Sequence, residues 1–130
     1  MKFGSEEDMK IGRRIYYDLS SGNVILDTGE RNGSVIETTI EQDFQNYKDL
    51  AERLPETVGF LQFNHGDLAY DFATCNGFRV DLESGAIVFS YPDLSNPEQP
   101  PIYRKPLSQE VDELKQSIAE LTILLATPQQ

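Results

Sequence analysis

Two stretches of this sequence resemble each other and predict the same local fold twice. Residues 15–26 read IYYDLSSGNVIL and residues 78–89 read FRVDLESGAIVF, and the two align without a gap. In each, strand-like residues precede Asp-Leu-x-Ser-Gly, and mostly β-branched or apolar residues follow. Asp at the start of a turn accepts hydrogen bonds from backbone N–H groups two or three residues on, and Gly at its end supplies a positive φ. The repeat predicts two β-hairpins, with turns at Asp18–Gly22 and Asp81–Gly85.

A helix is predicted between the two repeats. Ser34–Thr38 has the composition of a short strand, and Thr38 with Glu41 fits a capping box. Pro55 ends the helix that follows. Apolar residues within it recur at helical spacing and share one face: Ile40, Phe44, Tyr47, Ala51 and Leu54.

The residues before the second repeat predict a strand and then a short ambiguous element. Val58–Phe63 is typical of a strand. Gly66–Cys75 fits either a helix or a strand by its apolar spacing. A short helix is favoured because Asn76-Gly77 is a typical helix stop.

The segment from Tyr91 to Pro106 has a different composition. It holds five prolines in sixteen residues and shows no hydrophobic period. Proline fixes φ and removes a backbone donor, so this density predicts an extended, stiff connector. We expect it to hold whatever follows away from the body of the protein.

An unbroken heptad pattern follows the connector. Six apolar residues recur at spacings of four and three, and Ser108 is a candidate cap. Glu110, at heptad position g, and Lys115, at position e, are spaced to pair between two parallel helices. The apolar stripe occupies positions a (Val111, Ile118, Leu125) and d (Leu107, Leu114, Leu121).

These patterns together predict an α+β fold. A small antiparallel sheet is built from the two similar hairpins and is joined by one or two helices. A Pro-rich linker and a coiled-coil-like C-terminal helix follow. The predicted boundaries are a flexible leader at 1–10, the body at 11–91, the linker at 92–106 and the heptad helix at 107–127.

Three coverings of the apolar stripe are compatible with the sequence. The helix could self-associate as a dimer or trimer, dock on another protein, or fold back on its own sheet. A narrow a/d stripe suits a helix–helix contact, whereas docking on a sheet usually requires a wider one. Ile123 and Leu124 widen the stripe near its end. The stiff connector favours the first two coverings.

Composition excludes several classes of function. The chain has 11 basic and 22 acidic residues and a net charge of −11, which disfavours nucleic acid and anionic lipid as partners. No segment has the roughly 20 apolar residues that membrane insertion requires. The polar N-terminus lacks the apolar core of a signal peptide, which indicates synthesis in a cytoplasm.

No residue pattern predicts an active site, a metal site or a cofactor site. Cys75 and His65 are the single members of their types, so neither has a second thiol or imidazole beside it. No nucleophile elbow, phosphate loop or dinucleotide fingerprint is present. Asp and Gly at the turn spacing also occur in calcium loops, but too few carboxylates follow to complete a coordination shell. We expect a protein that is not an enzyme.

Three strings resemble small proteins of Firmicutes phages and prophages. They are IYYDLSSGNVILDTGERNGSVIETT, GFRVDLESGAIVFSYPD and PPIYRKPLSQEVDELKQSIAEL, and the resemblance extends from about Ile15 to Leu125. Proteins of this kind are encoded in the tail and tail-fibre module. The resemblance implies a virion structural or tail-assembly protein, with no family active site to transfer.

The functional prediction follows from the helix and the resemblance. We expect a phage tail-associated protein that self-associates, or docks on a neighbouring tail protein, through its C-terminal helix. It would reside in the bacterial host cytoplasm during assembly and then in the virion tail. The alternative is a small phage-encoded cytoplasmic adaptor or regulator that binds a host protein through its acidic body.

Overall fold

The computed structural model describes residues 9–126, with side chains described as far as Ile123. The strands are β1 (Met9–Ile11), β2 (Arg14–Asp18), β3 (Val24–Asp27), β4 (Arg31–Gly33), β5 (Val58–Gln62), β6 (Gly77–Val80) and β7 (Ile87–Ser90). The α-helices are α1 (Ile40–Asn46), α2 (Lys48–Ala51), α3 (Ala69–Thr74) and α4 (Leu107–Ala126), and a 3-10 helix covers Pro55–Thr57. The predicted α+β class and the C-terminal helix are confirmed. Of the predicted leader, residues 1–8 lie outside the described residues, and Met9 and Lys10 lie in β1.

The strands form three small antiparallel sheets among the described residues, where a single sheet was predicted. Their orders are β3-β2-β5, β6-β7 and β1-β4. The second hairpin forms a sheet of its own, and β5 pairs with β2, with Arg14 opposite Gln62 and Tyr16 opposite Phe60. The central sheet is therefore completed by the strand that lies between the two hairpins in sequence.

Successive side chains of β2 pack into two different layers of the protein, one on each face of the central sheet. Successive side chains of a strand point to opposite faces of its sheet. Ile15 is fully buried on one face and packs with Ile87 and Phe89 of the second hairpin. Tyr16 is fully buried on the other face, where its ring lies edge-on to Phe44 of α1 at 5.8 Å between centroids. The central sheet thus separates α1 and α2 from the β6-β7 hairpin and α3.

The main apolar core lies between the central sheet and the second hairpin. Phe72 of α3 is at its centre, edge-on to the rings of Phe63, Phe78 and Phe89 at 5.1–5.8 Å. Aromatic pairs in this arrangement contribute about 0.5–1.5 kcal/mol beyond the area that they bury. Cys75 is half-buried beside them as a free thiol. The segment Gly66–Cys75, which fits either a helix or a strand by sequence, therefore contains a short helix, and Phe72 of that helix packs against the core.

A buried polar network lies on the other face of the central sheet. Asp43 of α1 is fully buried, and its carboxylate accepts hydrogen bonds from Arg14 at 2.8 Å, Tyr16 at 2.5 Å and Thr38 at 2.6 Å. Arg14 also donates from Nε to Gln62 at 2.7 Å. Burial raises the pKa of Asp43, but the hydrogen bonds from Thr38, Tyr16 and Arg14 outweigh it and lower that pKa below its usual value. The network fixes α1 against the sheet as an ion pair with its hydrogen bonds satisfied.

The first predicted helix differs from expectation in its start and its continuity. Its capping box is Thr39 with Gln42, one residue later than predicted, because Thr38 donates its hydroxyl to Asp43 instead. The helix breaks at Tyr47, whose backbone is extended (φ −102°, ψ 122°). The break changes the buried face: Leu50 is fully buried, whereas Leu54 is 65% exposed.

The strand predicted at 34–38 is wrong. These residues form no strand, and β4 instead covers Arg31–Gly33, where a turn was expected. The reason is its partner, since β1 pairs with it antiparallel from Met9 opposite Gly33 to Ile11 opposite Arg31. β4 is held by its pairing with β1, which lies far from it in sequence, so it needs no alternation of apolar residues. The hydropathy pattern therefore did not indicate a strand here.

The two turns of the repeat have the same hydrogen-bond geometry. In the first, the N–H of Gly22 donates to the carbonyl of Asp18 at 2.8 Å, and in the second Gly85 donates to Asp81 at 2.7 Å. Each Asp carboxylate accepts the N–H two residues on, at 2.8 Å in the first turn and 3.2 Å in the second. Gly22 has φ +80° and Gly85 has φ +74°, values that favour glycine.

The first turn also connects the two hairpins. The N–H of Val80 in β6 donates to the carbonyl of Gly22 at 2.9 Å, and the guanidinium of Arg79 donates to the carbonyl of Ser21. A Cβ at Gly22 would lie 2.1 Å from the carbonyl oxygen of Val80, whereas one at Gly85 would meet open space. One copy of the repeated turn is thus a packing contact and the other is a surface turn.

Candidate assembly surface

The Pro-rich segment returns to the body before α4 begins. Arg104 and Phe89 exchange both backbone hydrogen bonds, at 2.7 and 2.8 Å, so the chain pairs with β7 at this point. Pro106 is buried at the start of the helix. The expectation that the connector holds the helix away from the body is therefore wrong for the first turn of α4.

The first turn of α4 is fixed by a buried carboxylate of α3. Asp71 is fully buried and accepts the N–H of Ser108 at 3.1 Å, the hydroxyl of Ser108, and the hydroxyl of Tyr91 at 2.6 Å. The Tyr91 oxygen in turn accepts the N–H of Leu107 at 3.0 Å. The first N–H groups of a helix have no partner within the helix, so these contacts satisfy two of them. We name Asp71, Tyr91 and Ser108 the helix joint.

The electrostatics of the helix joint favour an ionised Asp71. Burial raises the pKa of this carboxyl, but the hydrogen bonds from the Ser108 and Tyr91 hydroxyls and from the Ser108 backbone N–H outweigh it, and the net pKa lies below the usual value. The positive end of the helix dipole adds to this preference. Burial and the hydrogen bond to Asp71 raise the pKa of Tyr91 to about 12. Ser108 was predicted to cap the helix; it lies inside the first turn, and Asp71 caps in its place.

Two ion pairs connect the connector to the next turn of α4. The Arg104 guanidinium donates to both carboxylate oxygens of Glu110 at 2.6 and 2.7 Å, and Lys105 lies 2.6 Å from Glu113. Glu110, predicted to pair across two helices, is thus bonded within its own chain. Exposed pairs of this kind contribute little to stability, because solvent screens their charges. They orient the start of α4 beyond the buried contacts.

The apolar stripe leaves the body after its first residue. Leu107 is half-buried at the helix joint. The following four positions are exposed, Val111 by 48%, Leu114 by 61%, Ile118 by 56% and Leu121 by 56%. We name these four residues the exposed seam; Leu125, the last predicted position, lies outside the described side chains. About half or more of each seam side chain is therefore open to solvent.

Sequence reasoning placed the seam but missed the residues that hold it. Asp71 and Tyr91 have no pattern of their own, because a buried carboxylate is not distinguishable from a surface one in a single sequence. The signal that could have indicated them is positional: Asp71 shares a helix turn with the core residue Phe72 and Leu68. The turn residues Asp18, Gly22, Asp81 and Gly85 lie in the body and take no part in this surface.

The chain's single histidine, His65, lies beside polar side chains. The His65 imidazole lies 3.2 Å from the Asn32 side chain and 4.0 Å from Glu30. No group of three or more His, Cys, Asp or Glu side chains among residues 9–126 could hold a metal ion. No helix in that range has the length and apolarity needed to cross a bilayer.

The exposed seam and the helix joint therefore form the candidate site. An apolar stripe on a helix whose first turn is capped by the body can bind another helix. No protein-family model, no curated protein and no solved structure matches this chain.

Proposed function

We propose that this chain is a structural or assembly protein of a phage tail, incorporated through helix α4. It would reside in the host cytoplasm during assembly and in the virion afterwards. The exposed seam is the observation that supports the proposal. Four large apolar side chains on one helix face, each about half exposed or more, are an arrangement that soluble proteins use for association.

The helix joint adds to the support. Asp71, Tyr91 and Ser108 fix the direction in which α4 leaves the body, so the seam is presented in a defined orientation. A seam that is held in one orientation loses less conformational entropy on binding. A low entropic cost favours assembly in a fixed geometry. The resemblance of the sequence to tail-module proteins of Firmicutes phages supplies the choice of assembly.

Mass spectrometry of purified virions tests the proposal. We expect the wild-type chain in the particles, and we expect its loss when Leu114→Asp and Leu121→Asp place charges on the seam. The matched control is Gln116→Asp with Ala119→Asp, which adds two carboxylates to the same helix at positions away from the seam. Absence of the wild-type chain from virions, or equal incorporation of the seam and control variants, would contradict the proposal.

A further inference from the structure

We infer that the exposed seam is covered by a second copy of this chain, with the two α4 helices parallel and in register. The inference rests on the proposed function, because it names the partner of the same surface. It is carried by the residue types of the seam, by the charges beside it and by the preformed start of the helix.

The seam alternates two residue types that select a two-stranded parallel pair. Val111 and Ile118 are β-branched and occupy position a, and Leu114 and Leu121 occupy position d. In parallel dimers, β-branched side chains at a and leucine at d fit the facing holes better than in trimers or tetramers. In a parallel, in-register pair, each seam residue packs against the same residue of the second copy.

The charges that flank the seam complement a second copy. Positions e and g between 108 and 124 hold Ser108, Glu110, Lys115, Ser117, Thr122 and Leu124. Their charged members are therefore one acid at g and one base at e, five residues apart, which a parallel in-register pair brings together twice. The remaining acids of this stretch, Asp112, Glu113 and Glu120, lie at positions b and c, away from the seam.

This balance is unusual for the chain as a whole. With 22 acidic and 11 basic residues, two copies repel each other over most of their surface. The strip beside the seam has no net charge, so it adds no net repulsion between two copies. Glu110 remains able to accept from Lys115 of a second copy, since a carboxylate has about four acceptor sites and Arg104 uses two.

An antiparallel pair lacks this complementarity. If Val111 packs against Leu121 of the other helix to give full overlap, Lys115 lies beside Lys115 of the other copy. Glu110 then faces the apolar Leu124. Like charges in that position are destabilising. The charge pattern thus favours the parallel arrangement, in addition to the a and d residues.

The helix joint removes the main obstacle to so short a pair. Helices without tertiary contacts are only marginally stable in water, because the first turn is costly to form. In this chain the first turn is formed by Asp71 and Tyr91 before any partner binds. Association then needs to stabilise only the later turns, and we expect a reversible dimer.

Cysteine cross-linking tests the direction of the helices. In a chain with Cys75→Ala, Leu114→Cys should form a disulfide-linked dimer on oxidation, because position d meets its own duplicate in a parallel pair. The control Gln116→Cys, at position f on the outer face, should remain monomeric on a denaturing gel. If a mixture of Val111→Cys and Leu121→Cys cross-links while Leu114→Cys does not, the helices are antiparallel. That result would overturn the inference and leave the assembly role intact.

Charge exchange tests whether the partner is a second copy. Glu110→Lys and Lys115→Glu should each weaken the dimer by about three- to tenfold, since each replaces two attractive pairs by repulsive ones. An equimolar mixture of the two should regain wild-type affinity, because the mixed dimer restores opposite charges on both sides. Lys115→Glu leaves the Arg104–Glu110 pair intact, so its effect does not involve the connector.

Light scattering of the full chain supplies the reference state. A molar mass twice that of the chain, with recovery in the mixture, supports the inference. A monomer at every concentration, a trimer, or two weakened variants that do not rescue each other would overturn it. The tail-assembly proposal would then be decided separately by the incorporation of seam variants into virions.

Discussion

At the scale of single residues, two buried carboxylates determine how the helices attach to the body. Asp43 fixes α1 to the central sheet through Arg14 and Tyr16, and Asp71 fixes α4 through Ser108 and Tyr91. Ionised carboxylates are rarely fully buried unless both of their oxygens accept hydrogen bonds. The chain meets that condition at both positions, which makes each network more sensitive to substitution than its surface acids are.

Asp43→Asn should destabilise the fold by about 3 kcal/mol, because it removes the buried partner of an ion pair. Arg14 would keep its bonds to Gln62 and to the Thr38 carbonyl, and its 3.6 Å ion pair with the exposed Glu37, but would lose its buried carboxylate. The free energy of unfolding in urea, followed by circular dichroism, measures the effect. Asp49→Asn is the control, since it removes an exposed acid from α2. Equal stability of the two variants would show that the buried ion pair does not hold α1.

At the scale of elements, the repeat predicted the two turns but not their different surroundings. Asp18–Gly22 and Asp81–Gly85 are equivalent in sequence and in hydrogen bonding. Gly22 nevertheless contacts Val80, whereas Gly85 is open. Local turn chemistry depends on a few adjacent residues and can be read from one sequence. Packing between the hairpins depends on strand order. The pairing of β5 with β2 sets that order, and no local pattern in the sequence encodes it.

Alanine at the two equivalent glycines separates backbone strain from packing. Gly85→Ala should cost about 1 kcal/mol, the usual penalty for a Cβ at positive φ. Gly22→Ala should cost several times as much, because its Cβ would lie 2.1 Å from the Val80 oxygen and the hairpins would have to separate. Chemical denaturation of both variants measures the difference. Similar losses would mean that the hairpins can move apart without cost.

The C-terminal helix shows where element prediction succeeds and where it fails. The heptad spacing predicted its position, since periodicity is a local property. The prolines did not predict the return of the chain to β7, because proline fixes φ but not the direction of the following residues. Ser108 was expected to cap the helix by itself, yet the cap comes from Asp71, 37 residues earlier. Contacts at such separation are not visible in local patterns.

Removal of the Asp71 charge should loosen the start of α4 while the body stays folded. Asp71→Asn replaces an acceptor of three hydrogen bonds by a group with one acceptor oxygen, and loss of a helix cap costs about 1–2 kcal/mol. Amide hydrogen exchange should become faster at Leu107 and Ser108 than in the wild type. Asp112→Asn, which removes an exposed charge from the same helix, should leave exchange at these amides unchanged. Unchanged exchange in Asp71→Asn would show that the helix joint does not stabilise α4.

At the scale of the whole molecule, the charge and the buried networks set different limits on stability. The net charge of −11 acts over the entire surface, whereas the two networks act at defined pH values. Composition predicts an acidic surface. It did not predict that Asp43 and Asp71 are buried and paired with tyrosine, because composition has no information on burial.

Stability should therefore fall at both ends of the pH scale. The folded-state pKa values of Asp43 and Asp71 are lowered, so their contribution is complete above the unfolded value of about 4 and is lost as the pH falls further. The Tyr16 and Tyr91 pKa values are raised to about 12, so their contribution is complete below about 10 and is lost between about 10 and 12. Urea denaturation across this range measures both losses. In Tyr16→Phe with Tyr91→Phe, the alkaline loss should flatten while the acid loss remains, since the phenolic protons are absent. An unchanged alkaline slope in that variant would show that other groups govern unfolding at high pH.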